Sequence, residues 1–195
     1  MGDGAYVAID FETANEKRSS ACALGIAVVA GAQIVERQSW LIKPPEMRFN
    51  PINISIHGIS PGDVEDAPSF GELWPVVQDY LKDRTVIAHN AAFDMGVLTG
   101  TLSAYGLPAP NIHYSCTLAI ARHVWPALPN HKLGSVAGHL GIAFSHHDAA
   151  DDAMAAAKIA MSACDRTGSV SLTELLKTLN LRTRRLRSHW SLPYK

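Results

Sequence analysis

Apolar residues come first in unbroken runs and later at helical spacing. Tyr6-Val7-Ala8-Ile9 is one apolar run, and Cys22–Ala30 is another, dense in Ala, Val and Ile. Short apolar runs bounded by turn residues predict strands. Gly31-Ala32 predicts a turn and Gln33–Ile42 a third strand, and connections this short predict an antiparallel meander. Pro44, Pro45 and Pro51 mark Lys43–Ser60 as a loop, and Pro61-Gly62-Asp63 opens a short turn or helix. Ser69 followed by Glu72 is a capping box ahead of Leu73, Val76, Val77 and Tyr80 at helical spacing. Thr85–Ala88 predicts a short buried strand, Asn90 the cap of a helix running to about Tyr105, and Ile112–Ser115 another short strand. Helices are predicted over Thr117–Trp125, Lys132–Leu140, Asp148–Cys164 and Ser171–Leu179. Strands first, then strands alternating with helices, predict an α/β fold with a mixed central sheet flanked by helices.

Composition bounds the class. With 195 residues, 47% apolar and 18% charged, the chain is long enough for one domain with a full core. The division expected is a main domain over 1–167 and a short helix with a basic tail over 168–195. The longest apolar run, Ala21 to Ala32, is broken by glycines and too short for a bilayer, so no membrane association is expected. Asp3 and the lack of a basic start argue against a signal peptide. Cys22, Cys116 and Cys164 are odd in number with no C-x-x-C pair, which fits reduced thiols and a cytoplasmic setting. The net charge of −1 hides an asymmetry: residues 168–195 carry six Lys/Arg against Glu174 alone, leaving 1–167 at −6. A basic segment on an acidic body suits phosphate attraction, or a solubilising tail.

Three acidic stretches carry the chemistry. Side chains two apart on a strand share a face, so Asp10 and Glu12 point together while Val7, Ile9 and Phe11 point to a core. Like charges so placed raise each other's pKa unless a cation lies between them, and hard divalent ions prefer such oxygen ligands. A solvated strand end is the plainer alternative. Asp94 follows the Thr85–Ala88 strand and tops a helical stripe of Leu98, Leu102 and Tyr105; the alternative is an acid favoured by the helix dipole. In His146-His147-Asp148-Ala149-Ala150-Asp151-Asp152, Asp148 is the expected N-cap. Asp152 shares a face with Ala156 and Ile159 and is assigned to the interior, and Asp151 to solvent. A zinc site would need further His or Cys at short spacing, so the oxygen-rich set points to Mg2+ or Mn2+.

Taken together, Asp10-Phe11-Glu12, His89-Asn90-Ala91-Ala92-Phe93-Asp94 and His147-Asp148-Ala149-Ala150-Asp151-Asp152 resemble the DEDDh branch of the DnaQ-like 3′→5′ exonucleases. That family includes the proofreading subunits of bacterial DNA polymerase III. The resemblance spans roughly residues 5–165. It implies a ribonuclease H-like fold with three antiparallel strands followed by parallel ones. It implies two Mg2+ or Mn2+ ions held by Asp10, Glu12, Asp94 and Asp152, with His147, not His146, as general base. It also implies that Phe11 and Thr13 offer backbone groups to the terminal nucleotide, and that His57, Phe93 and Leu98 pack on its base or sugar.

The function expected is metal-dependent hydrolysis at the 3′ end of nucleic acid, single-stranded DNA first. An oligoribonuclease has the same pattern, and the ribose 2′-OH is the physical discriminator. A non-catalytic domain binding nucleic acid or a polymerase would show decay in the five key residues, and a hydrolase of free nucleotides would act on monomers alone. A polymerase partner is compatible with the pattern, and nothing in the sequence carries it.

Overall fold

The computed structural model describes residues 5–186. The first four residues, and the end of the basic segment from Arg187 to Lys195, lie outside the described residues. Strands β1 (Tyr6–Thr13), β2 (Ala21–Ala30) and β3 (Gln33–Leu41) form the antiparallel meander. β4 (Thr85–Ala88) runs parallel to β1, β5 (His113–Cys116) runs parallel to β4, and β6 (Arg184–Arg185) closes the far edge antiparallel to β5. The sheet order is β3-β2-β1-β4-β5-β6, the mixed arrangement that the resemblance implied.

Both faces of β1 are buried. Val7, Ile9 and Phe11 meet α2 (Phe70–Leu81) and α3 (Ala92–Ala104) on one side. Tyr6 and Ala8 meet α4 (Thr117–Val124), α5 (Leu133–His139), α6 (Ala149–Thr167) and α7 (Leu172–Thr178) on the other. α6 carries alanines at 149, 153, 155, 156, 157, 160 and 163 on its buried surface, so it lies close against the strands. The C-terminal part is folded onto the body: Leu172, Leu175 and Leu176 belong to the α6 core, and Leu186 is buried.

Two local expectations change. Lys43–Ser60 is not all loop: α1 (Pro51–His57) forms within it. The signal was present in its caps. The Asn50 side chain accepts from the Ile52 N–H, Pro51 opens the helix, and Gly58 ends it at φ 76°. A seven-residue helix with no buried residue leaves no apolar period to read. Asn90, expected as a helix cap, instead adopts φ 69°, a left-handed conformation Asn tolerates, and α3 begins two residues later without a side-chain cap.

Candidate active site

β1 and β4 run parallel, so their carboxyl ends open side by side, the place where open α/β sheets put ligands. The register of β1 against β2 slips between Glu12 and Thr13, and such bulges re-aim side chains at strand ends. Asp10 pairs with Gly25 on β2. A Cβ on Gly25 would stand 1.9 Å from the Ala149 carbonyl oxygen, so only glycine lets the start of α6 lie on the sheet here. Asp148 caps that helix, its carboxylate accepting from the Asp151 N–H at 3.0 Å. One turn in, Asp152 is 4% exposed and faces Asp10 and Glu12. Asp151 turns outward, accepts from the Ser145 N–H at 2.7 Å and pairs with Arg37 of β3.

One oxygen from each of Asp10, Glu12 and Asp152 lies within 4.8 Å of the others. Burial, then the charges of Asp94, Asp152 and Glu12, hold Asp10 well above the ordinary carboxylate range. Burial and the neighbouring acids push Glu12 up to about 8. Asp94, 2% exposed, is pushed by burial up to about 7, although its Oδ1 accepts from the Phe11 N–H at 3.1 Å. Burial also raises Asp152, against the opposing pull of His146. Clustered oxygens that resist ionising together fit a divalent cation, whose charge removes the repulsion.

Both histidines reach this cluster. The His147 backbone N–H donates to Asp152 Oδ2 at 3.2 Å, and His146 Nδ1 lies 3.3 Å from Asp152 Oδ1. Their rings stack at 4.0 Å, with His147 itself at φ 67°. Reading the sequence set His146 aside, and neither motif spacing nor helical phase marks it. Burial, then the charge of His146, lowers His147 below the ordinary histidine range.

The acids floor a cleft of about 330 Å³. Phe11, Thr13, His57 and Phe93 all line it, as do His89 and Asn90 of the second motif and Asn53, which sequence reasoning passed over. Leu98 does not: it is fully buried in the core between sheet and helices, because the stripe below Asp94 points inward. His57 is held in place. Its Nδ1 accepts from the Ile59 N–H at 3.0 Å, so its Nε2–H donates to the Thr13 carbonyl at 3.2 Å. Asn53 donates to the same carbonyl at 2.8 Å, docking α1 on the end of β1. The His89 ring bridges the Thr117 hydroxyl at 3.0 Å and the His131 carbonyl at 2.8 Å, and burial pushes it down to about 4. The Arg18 guanidinium covers the Phe93 ring at 4.3 Å.

The family model for the RNase_T exonucleases matches residues 7–160. The chain belongs to this exonuclease family. As a sequence the chain is 33% identical over 162 residues to the PolC-type DNA polymerase III of Clostridium perfringens, covering 80% of this chain and 11% of that one. It spans about a tenth of the length of the polymerases it matches. As a fold it is similar to Exonuclease X solved with 5′-overhanging duplex DNA, with a TM-score of 0.72 at 22% identity over 89% of this chain and 99% of that one. The nuclease domain of 3′hExo, a DEDDh member bound to rAMP, superposes with a TM-score of 0.72 at 17% identity over 94% of this chain and 98% of that one. No helix among the described residues is long and apolar enough to cross a membrane.

Proposed function

We propose that this exonuclease removes nucleotides from the 3′ end of single-stranded DNA, with two Mg2+ or Mn2+ ions held by Asp10, Glu12, Asp94 and Asp152. The observation that carries the reading is the meeting of Asp10, Glu12 and Asp152 within 4.8 Å at the end of a parallel strand pair. Bound there, divalent ions supply charge stabilisation at the phosphate and a more acidic attacking water. The chain's own groups do the rest. Asp10 and Asp152 join strand and helix into one ligand set, and the Phe11 N–H fixes Asp94 beside them. His147 takes the proton of the attacking water. Its lowered pKa keeps it unprotonated at neutral pH, and its position on the cleft rim lets it pass the proton to solvent. The Thr13 backbone and the Phe93 face receive the terminal nucleotide, steadied by His57 and by Arg18.

DNA is favoured over RNA by the polymerase relatives, whose matched region lies within a DNA polymerase III chain. A polymerase is the partner that similarity suggests. The test is a time course on 5′-labelled single-stranded DNA and the matching RNA, with Mg2+, Mn2+ or EDTA, beside Asp152→Asn. The expected result is a 3′-shortening ladder on DNA that disappears with EDTA and in the variant. A ladder on RNA alone moves the assignment to an oligoribonuclease, and no ladder on either withdraws it.

A further inference from the structure

The C-terminal arginines play no part in the chemistry above, yet they are built into the fold. Arg184 pairs with Tyr114 and Arg185 with His113 across β6 and β5. The Leu186 N–H donates to the Ile112 carbonyl at 2.9 Å, and Arg185 Nε donates to Asn111 at 2.7 Å. This anchoring turns Arg182 and Arg184 into a hollow of about 420 Å³ that also holds Tyr114, Arg122 and Asn90. A second hollow, about 670 Å³, shares Asn90, Leu118 and Arg122 with the first and adds His131 and Lys132. The second hollow in turn shares His89, Asn90, Leu133 and His146 with the carboxylate cleft. Three hollows thus form one groove that starts at Asp10 and Asp152 and ends at Arg184.

Beyond the carboxylate cleft, charge along this groove is one-sided. Among the described residues, no carboxylate lines either outer hollow. Outside the groove Lys17, Arg37 and Arg48 are paired with acids, and the other described cations stand singly; the groove is where four of them gather. Among the described residues, no carboxylate pairs with Arg122, Lys132, Arg182 or Arg184, and all four are exposed. Cations left unpaired in a groove on a body that is otherwise acidic suit a run of phosphates. The Tyr114 and His131 rings in the same walls offer faces on which unpaired bases stack.

We propose that this groove is the track of the single strand upstream of its 3′ end, with Arg122, Lys132, Arg182 and Arg184 neutralising successive phosphates. The proposal rests on the nuclease reading and adds the path of the strand. It is tested by fluorescence anisotropy in EDTA, where nothing is cut. The probes are a labelled trinucleotide and an oligo(dT) of about 12 nucleotides, within the usual single-strand site size. Wild-type protein is expected to hold the longer probe more tightly. R122A/R182A/R184A is expected to lose about tenfold or more on the longer probe. Its plot of log Kd against log salt should flatten by about two, at ~0.7 for each single-strand phosphate contact. K177A removes one exposed charge outside the groove and is expected to match wild type. Melting curves establish that all variants are folded. Wild-type affinity and salt slope in the triple variant, or no length dependence in wild type, overturns the proposal. A protein that binds through the groove but cuts neither DNA nor RNA loses the nuclease reading and keeps the groove. One that cuts while its affinity ignores these arginines loses the groove alone.

Discussion

Gly25 lies directly beneath Ala149: a Cβ on the strand residue would come within 1.9 Å of the helix residue's carbonyl oxygen. Gly25 is also the cross-strand partner of Asp10, and Ala149 precedes Asp152 by one turn. One missing side chain therefore fixes how far apart two of the carboxylates stand.

Gly25→Ala is expected to push the start of α6 off the sheet. The obstacle is backbone, so no side-chain rotation relieves it. Overpacking of this kind costs about 1–3 kcal/mol. Nuclease activity is expected to fall far more than stability, because the ligand set opens. Gly138→Ala, on α5 with nothing within 4 Å of the added methyl, serves as the control and is expected to be neutral or slightly stabilising. Melting curves beside turnover rates separate the two, and full activity in Gly25→Ala would remove this role for the glycine.

The acid cluster predicts how the metal-free protein responds to pH. Glu12 stands at about 8 and Asp94 at about 7 in the fold, against ~4 for free carboxyls. Between these limits the folded protein holds protons that the unfolded chain has released, so stability falls as pH rises. The melting temperature in EDTA is expected to drop from about pH 5 to pH 8, and added Mg2+ or Mn2+ to restore more at the upper end. Asp152→Asn in EDTA at the upper end is expected to melt about 2–4 °C higher than wild type, the shift that ~1 kcal/mol gives at this size. Differential scanning fluorimetry across this range decides it: a flat profile contradicts the repulsion.

His147→Ala is expected to lose about 10²- to 10⁴-fold in rate while still showing a metal-dependent rise in melting temperature. His146→Ala is expected to lose less and to change the pH profile. The His146 charge lowers His147, so removing it lets the His147 pKa rise. The acid limb of kcat, where the base becomes protonated, is then expected to move to higher pH. An acid limb that stays in place in His146→Ala means the titrating group is not His147.

The sheet and the acid cluster were legible because their signals are periodic. Alternation put Asp10 and Glu12 on one face of β1, and helical phase separated Asp152 from Asp151. What stayed hidden has no period. α1 buries nothing, so its only marks are Asn50, Pro51 and Gly58 at its ends. Leu98 shares the helical stripe of Asp94, but α3 turns that stripe from cleft to core within a single turn. His146 reaches Asp152 through a loop geometry in which His147 sits at φ 67°, and no residue pattern announces that. β6 is two residues long, and its pairing is decided by Leu186 finding the core beside β5.

That short strand has a second consequence. β5 is four residues long, and without β6 its outer N–H and C=O groups would form an open edge. Open edges recruit other strands. A chain cut before Arg184 would keep every carboxylate and histidine of the cleft, yet it would offer neighbouring copies a place to pair. Its defect would appear as lost solubility together with a weaker hold on the strand, since Arg184 leaves with β6, while the groups of the cleft stay in place.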